Sequence, residues 1–406
     1  MEFDVLKIRE ETFATKSQAN VIVSSKRANI ERIGFRRFQD NRVFQTSRLG
    51  ETNLDQLIKE SKMFGGPGTP HDFDFAPAHS ESRKSQSLVK SALESYAAAL
   101  DELRSSFPNY LFSGECTVKN QTVTLNSSYG LDLSCAGSNL QWYFIYQRKG
   151  SGNVIDGFID GTSGSDNILE SVREHFIYLN DLKEVSDFKP GKYPVLFVEN
   201  REILKKLIAS FEVNRYQESG ALYSGKLGQK LFDSRLSLVD GGYDPKIGHF
   251  QFFDGEGTVR ESDLPLIENG IFRSLISNLR YQKKYGVTTT GNGLRPFDQG
   301  VKLGLRNLKI VGGEKKWFKI IKDLPFCVVA AVTAGGESND LGEYSSPIQA
   351  GYLFKNGELM GLLPQSTVKT SIDRYLGVDL VDISSDGFTP DQGSACVISE
   401  MDIYLN

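Results

Sequence analysis

From Ser234 to the end of the chain, short apolar runs are cut apart by glycine turns, a punctuation that suits antiparallel sheet. Ser234 to Asp240 and Ala395 to Leu405 alternate most clearly, as strands do when one face meets a core and the other meets water. Thirty-nine glycines against thirteen prolines fit many turns and no disordered tract. Earlier in the chain the pattern is mixed. Val21-Ile22-Val23 and the stretch from Ile30 to Gln45 read as strands, and Thr52 or Asn53 caps a helix carrying Leu54, Leu57 and Ile58. Arg83 to Phe107 aligns Leu88, Ala92, Tyr96, Ala99 and Leu103 on one helical face and stops at Pro108. Residues 111 to 161 return to period two, turning at Ser128-Tyr129-Gly130, and a later helix carries Ile168, Val172, Phe176 and Leu179. Asp187 to Lys192 reads as a linker. The expectation is an α+β protein, with an N-terminal α/β-type domain over 1–186 and a mainly antiparallel β domain over 187–406. The second domain opens on the continuous apolar run Tyr193 to Val198. A helix capped by Asn200 follows, with Ile203, Leu204, Leu207, Ile208 and Phe211 in one stripe.

At 406 residues the chain can bury a core that needs no disulfide or metal staple. A formal charge of −4 argues against nucleic acid as the main partner. Arg36, Arg37 and Arg42 alternate with Phe35, Phe38 and Phe44 and read as the solvent face of strands. No secretory leader is expected, since Met1-Glu2-Phe3-Asp4 has no basic region and no apolar core follows it, and no apolar run approaches the roughly 18 residues needed to cross a bilayer. Cys116, Cys135, Cys327 and Cys396 lie far apart, as buried free thiols of a reducing compartment do, so a cytoplasmic protein without membrane contact is expected.

Most chemical signatures are absent or degenerate. His71 and His79 share a polar loop with Asp72 and Asp74, but nothing rigid fixes them as metal ligands, and His175 and His249 read as structural. Gly220 to Leu227 nearly spells a phosphate-binding loop, yet Leu227 stands where a magnesium-binding hydroxyl is required. Gly161 to Ser165 is read as a polar loop and lacks the spacing of a hydrolase nucleophile; Ser338 has no imidazole near it in sequence. Acids remain. Asp254 and Glu256 stand two apart between glycines, fit either to bind a ligand or to form a structural turn, with Arg260 and Arg295 as salt-bridge candidates. Thr290-Gly-Asn292-Gly-Leu-Arg295 is a tight turn ending in a guanidinium that suits a carboxylate.

Six short segments in order resemble the TldD/PmbA family, metallopeptidase-related proteins historically called modulators of DNA gyrase. They are Gly225 to Leu236, Phe253 to Gly257, Leu266 to Gly270, Thr290 to Arg295, Gly342 to Gly357 and the closing strand. The resemblance implies that a zinc-bearing branch would carry His-Glu-x-x-x-His on the helix upstream, with a C-terminal cysteine as third ligand. Here the two His positions fall on Leu204 and Ala209, the Glu position falls on Lys205, and Cys396 lies in an apolar run. The chain is thus similar to the PmbA/TldE branch. That similarity implies no metal or other cofactor of its own, and a non-catalytic place in an intracellular metalloprotease complex acting in peptide processing. Its partner would be a zinc-bearing TldD-like paralogue, and Asp254, Glu256, Asn292 and Arg295 would line the peptide cleft. The alternative is a stand-alone homodimer that binds peptides, or a non-zinc hydrolase, using the same cleft.

Overall fold

A computed structural model of the chain describes residues 2–85, 89–153, 155–163, 167–179, 182–198, 201–245, 248–388 and 395–406. The first half is built on one eight-stranded sheet. Its strands are β1 (Glu2–Gln18), β2 (Val21–Gln39), β3 (Arg42–Leu49), β4 (Thr69–Pro70), β5 (His79–Lys84), β6 (Tyr110–Ser127), β7 (Leu131–Arg148) and β8 (Gly157–Ser163). They lie in the order β4-β3-β2-β1-β6-β7-β5, with β8 also on β7, and only β5 runs parallel to its neighbour. Helix α1 (Leu54–Phe64) begins at Asn53, whose side chain accepts the Gln56 N–H at 2.9 Å. Helix α2 (Val89–Ser106) starts later than its periodicity predicts, because Arg83 and Lys84 complete β5; Leu88 lies outside the described residues. Gly161 to Ser163 likewise finish a strand and do not form a loop.

β1, β2, β6 and β7 are 17 to 19 residues long, or about 60 Å at roughly 3.3 Å per residue. One helical layer cannot cover that length, and the side-chain parity shows how it is shared. β6 buries Tyr110, Phe112, Cys116 and Val118, then changes parity to Val123 and Leu125. β7 buries Leu131, Leu133 and Cys135, then Leu140, Trp142, Phe144 and Tyr146. Successive residues face opposite sides, so each half of the sheet buries a different face. One half packs on Ala92, Tyr96, Ala99 and Leu103 of α2. The other packs on Phe250, Phe252, Phe253 and Leu279 from the second half of the chain. Where parity changes, Glu10, Glu31, Gln121 and Ser138 help line a polar groove of about 640 Å³.

The second half closes on itself. Strand β9 (Gly191–Phe197) lies between Phe326–Thr333, which runs parallel to it, and Val397–Leu405, which runs antiparallel. Ser366–Ser371 pairs next, then Glu343–Lys355, which bends back to pair with Phe326–Thr333. The continuous apolar run in β9 follows from this central place. Val195 and Phe197 enter one core, and Leu196 enters another with Cys327, Val329 and Ile398. Helix α3 (Ile168–Glu174) packs Ile168 and Val172 into the core that α2 covers. Helix α4 (Arg201–Phe211) lays Ile203, Leu204, Leu207 and Phe211 into the first of the second half's cores; its expected cap, Asn200, lies outside the described residues. All four cysteines are free and buried, as expected.

Two arginines read as solvent-facing are inside. Arg36 and Arg37 are 4% and 5% exposed, and of the three only Arg42 faces water. Helix α1 covers Arg37, whose Nε donates to Ser61 Oγ at 3.1 Å while its guanidinium sits 4.2 Å from the Phe44 ring centroid. Arg36 is covered by the second half of the chain, at the join described next.

Candidate functional site

The loops holding Asp254–Glu256 and Asn292–Arg295 interleave so tightly that only glycine fits at two positions. A side chain at residue 255 would start 2.3 Å from Arg295 Cβ, and one at residue 293 would start 2.7 Å from Glu256 Oε2 and 2.9 Å from Asp254 Oδ2. With both side chains absent, the Gly255 N–H reaches the Gly293 carbonyl at 2.7 Å. Asp254 organises the turn. Its Oδ1 accepts the N–H groups of Glu256 and Thr258, both at 2.9 Å, and its Oδ2 accepts that of Gly293 at 2.8 Å. Glu256 Oε2 accepts the N–H of Leu279, at the start of the helix Leu279–Tyr285, at 3.0 Å. Among the described residues no salt bridge reaches either carboxylate. Burial raises both carboxyls, and the neighbouring Asp254 charge helps carry Glu256 to about 7.

Arg295 and Arg260 serve other acids. Arg295 Nη1 donates to Asp4 Oδ1 of β1 at 2.8 Å, and Nη2 donates to the Gly34 carbonyl of β2 at 3.1 Å. Arg36 reaches both oxygens of the same Asp4, with a closest approach of 2.6 Å, and Tyr129 adds its hydroxyl at 2.9 Å. Burial would raise the Asp4 carboxyl, yet Arg295 and Arg36 hold it below the usual carboxylate range. Burial pushes the Arg295 guanidinium down to about 10, against the pull of Asp4. A second buried acid, Asp240, pairs with Arg260 at 2.6 Å and accepts from Asn292 Nδ2 at 2.7 Å. Asn292 Oδ1 in turn accepts from Arg260 and Thr290. The four cleft candidates are therefore brought together, but inside the molecule: Arg295 bonds across to β1 and β2, while the side-chain bonds of Asp254, Glu256 and Asn292 stay within the second half. Asp254, Glu256, Asn292 and Arg295 are 2%, 2%, 0% and 7% exposed, which leaves a peptide no surface to touch. None of them lines the polar groove. Asp4, Arg36 and Tyr129 complete the clamp at Arg295, Asp240 anchors the network behind it, and none of them gave a local signal in the sequence, since an ion pair between strands distant in sequence has no periodicity.

The positions aligned with a zinc set are chemically plain. Leu204 is 1% exposed in the core, Lys205 faces water beside Glu202, and Ala209 is half-buried. An isobutyl group, an ammonium and a methyl offer no lone pair to a cation. Cys396 is buried in a different apolar core from Leu204, and burial raises its thiol. These residues do not fit a zinc ion. His71 packs 4.6 to 5.0 Å from the rings of Phe38, Phe73 and Phe75, a half-buried place and not the polar loop expected. His79 pairs with Glu81, while Asp72 and Asp74 are held by Arg280 and Lys283.

Residues 190–403 match the family model described as the PmbA/TldA metallopeptidase C-terminal domain. The crystal structure of TldE from Thermococcus kodakarensis superposes with a TM-score of 0.87 at 17% identity, covering 100% of this chain and 97% of that one. An uncharacterised protein of Methanocaldococcus jannaschii is 25% identical over 160 residues, 38% of this chain and 36% of its own length. The zinc metalloprotease TldD homolog of Saccharolobus solfataricus is 24% identical over 212 residues, 50% of this chain and 46% of its own. The chain thus aligns with less than half the length of these curated relatives. The end-to-end likeness to the TldE structure shows the fold, and the match over more than half of the sequence establishes that this chain belongs to the TldD/PmbA family.

Proposed function

We propose that this chain is a PmbA/TldE-like subunit of a cytoplasmic metalloprotease complex that processes peptides, contributing walls of the peptide chamber and no zinc of its own. The observation that carries this reading is helix α4. Its apolar stripe takes Leu204 into the core, and Lys205 puts a cation where the resemblance expects a general base. The partner would be a zinc-bearing TldD-like paralogue, which supplies the water-activating ion that Leu204, Lys205 and Ala209 have no donors to hold. The polar groove across the first sheet is an open surface for a peptide in such an assembly, whereas the clamp residues are closed to one. Two measurements test the proposal. Elemental analysis of the purified chain should find far less than one zinc per chain, and peptidase activity should arise only when the chain is mixed with the zinc-bearing relative. Chelator-resistant cleavage by the chain alone would favour the stand-alone hydrolase instead.

A further inference from the structure

The first half of β2 is an open edge. β3 pairs only with Arg32 to Gln39, so from Val21 to Ile30 the strand has β1 on one side and, among the described residues, no strand on the other. The Glu31 carbonyl points away from β1 and accepts the Gly50 N–H at 2.9 Å. Backbone groups alternate in direction along a strand, so Ser25, Arg27 and Asn29 also turn their N–H and C=O groups away from β1. Among the described residues nothing bonds to those six groups. Val21 and Ile22 are both exposed although neighbours on a strand face opposite sides, so this stretch is covered on neither face. An unpaired row of donors and acceptors is a template for one more strand.

Charge says what that strand carries. From Thr12 to Ile30 the β1–β2 hairpin holds Lys16, Lys26 and Arg27 and no carboxylate. Arg27 is met by Glu11, whose Oε1 accepts its Nε at 2.8 Å. Lys16 and Lys26 are exposed and in no ion pair among the described residues; Glu115, opposite Lys16 on β6, accepts the Thr117 hydroxyl at 2.8 Å instead. Ala14 lies opposite Lys26 and Ser24 opposite Lys16, so both ammoniums stand on one face of the hairpin. The Lys26 backbone turns toward β1, so against an added strand Lys26 takes a position without backbone bonds, where facing side chains come closest. A second copy would bring the same cations and no acid, and a phosphate backbone has no donors for the outward carbonyls. We propose that residues 21–30 of β2 bind an extended, acidic segment of a different protein as an added antiparallel strand, its carboxylates on the face of Lys16 and Lys26. This is a binding surface in its own right, independent of any peptidase role.

A labelled peptide of about eight residues alternating valine and aspartate puts every carboxylate on one face and is the probe. Anisotropy titration of the full chain at low salt should show it binding, while the same peptide with lysine for aspartate should not. Hydrogen exchange at the Ser25, Arg27 and Asn29 amides should slow when it binds. With aspartate opposite Lys26, the valine N–H groups face β2; methylating the valine nitrogens should abolish binding, and methylating those of aspartate should cost far less. Lys26→Glu alters an exposed side chain, and should weaken the aspartate peptide about fivefold and let the lysine peptide bind. No binding at about 1 mM overturns the proposal, as does undiminished binding of the valine-methylated peptide or by the Lys26→Glu variant. Protection of the same three amides by a single-stranded oligonucleotide, or by dimerisation that the peptide does not reverse, overturns it too.

Discussion

Replacing Asp4 by asparagine tests whether the ion pair at the join holds the two halves together. Asp4 is fully buried, with Arg36 at 2.6 Å, Arg295 at 2.8 Å and the Tyr129 hydroxyl at 2.9 Å. The Asp4→Asn side chain still accepts one hydrogen bond but removes the negative charge that faces two guanidiniums, each of which is nearly or wholly out of water. Breaking a buried pair by removing one partner costs about 3–5 kcal/mol, and the retained acceptor puts this case near 3 kcal/mol. At about 1.4 kcal/mol per tenfold, the join should open on the order of a hundredfold more often. A chain with several cores need not unfold in two states, so the readout should be local: hydrogen exchange in β1, β2 and segment 250–260. Adding Arg295→Met removes one of the stranded cations, so the double variant should lose less than the sum of the single losses. A change below about 1 kcal/mol for Asp4→Asn, or strict additivity, would refute the reasoning. The clamp would then owe its hold to Phe250, Phe252 and Phe253 against the sheet, not to charge.

Gly293→Ala should destabilise the same join by about 2 kcal/mol or more, because the new methyl would start 2.7 Å from Glu256 Oε2; denaturant titration followed by tryptophan fluorescence measures it. His175 is 4% exposed, and burial takes its imidazole down to about 4, below its ordinary value. Its stabilising contribution is therefore present above about pH 6.5 and lost as pH falls toward 4, and exchange in segment 167–179 should show His175→Phe flattening that acid loss. Tyr146→Phe strands the Tyr352 hydroxyl that it meets at 2.6 Å and should lower stability by about 1 kcal/mol in thermal unfolding. The triple change Leu204→His, Lys205→Glu and Ala209→His should yield no peptide cleavage, because Cys396 remains a buried thiol; zinc-dependent turnover by that variant would contradict the account of the site.

Much of the architecture could be read along the chain, because it rests on local periodicity. The apolar stripe of α4, the cap at Asn53, the turn at Tyr129 and the continuous run in β9 each need only residues a few places apart. The sequence alone also determined that positions 204, 205 and 209 carry no metal donor, a matter of side-chain identity that folding cannot alter. Other features were decided only when distant segments met. Arg36 and Arg37, set among phenylalanines, read as an outward strand face until helix α1 and the 290–295 loop arrived to bury them. Asp4 and Arg295 stand 291 residues apart, and nothing near either predicts the other. The glycines at 255 and 293 were visible as turns fit either for a ligand or for structure, and what came close was the opposing backbone. Hydrophobic alternation is written within a strand, whereas the partner of a buried charge is chosen by which strands the fold sets side by side.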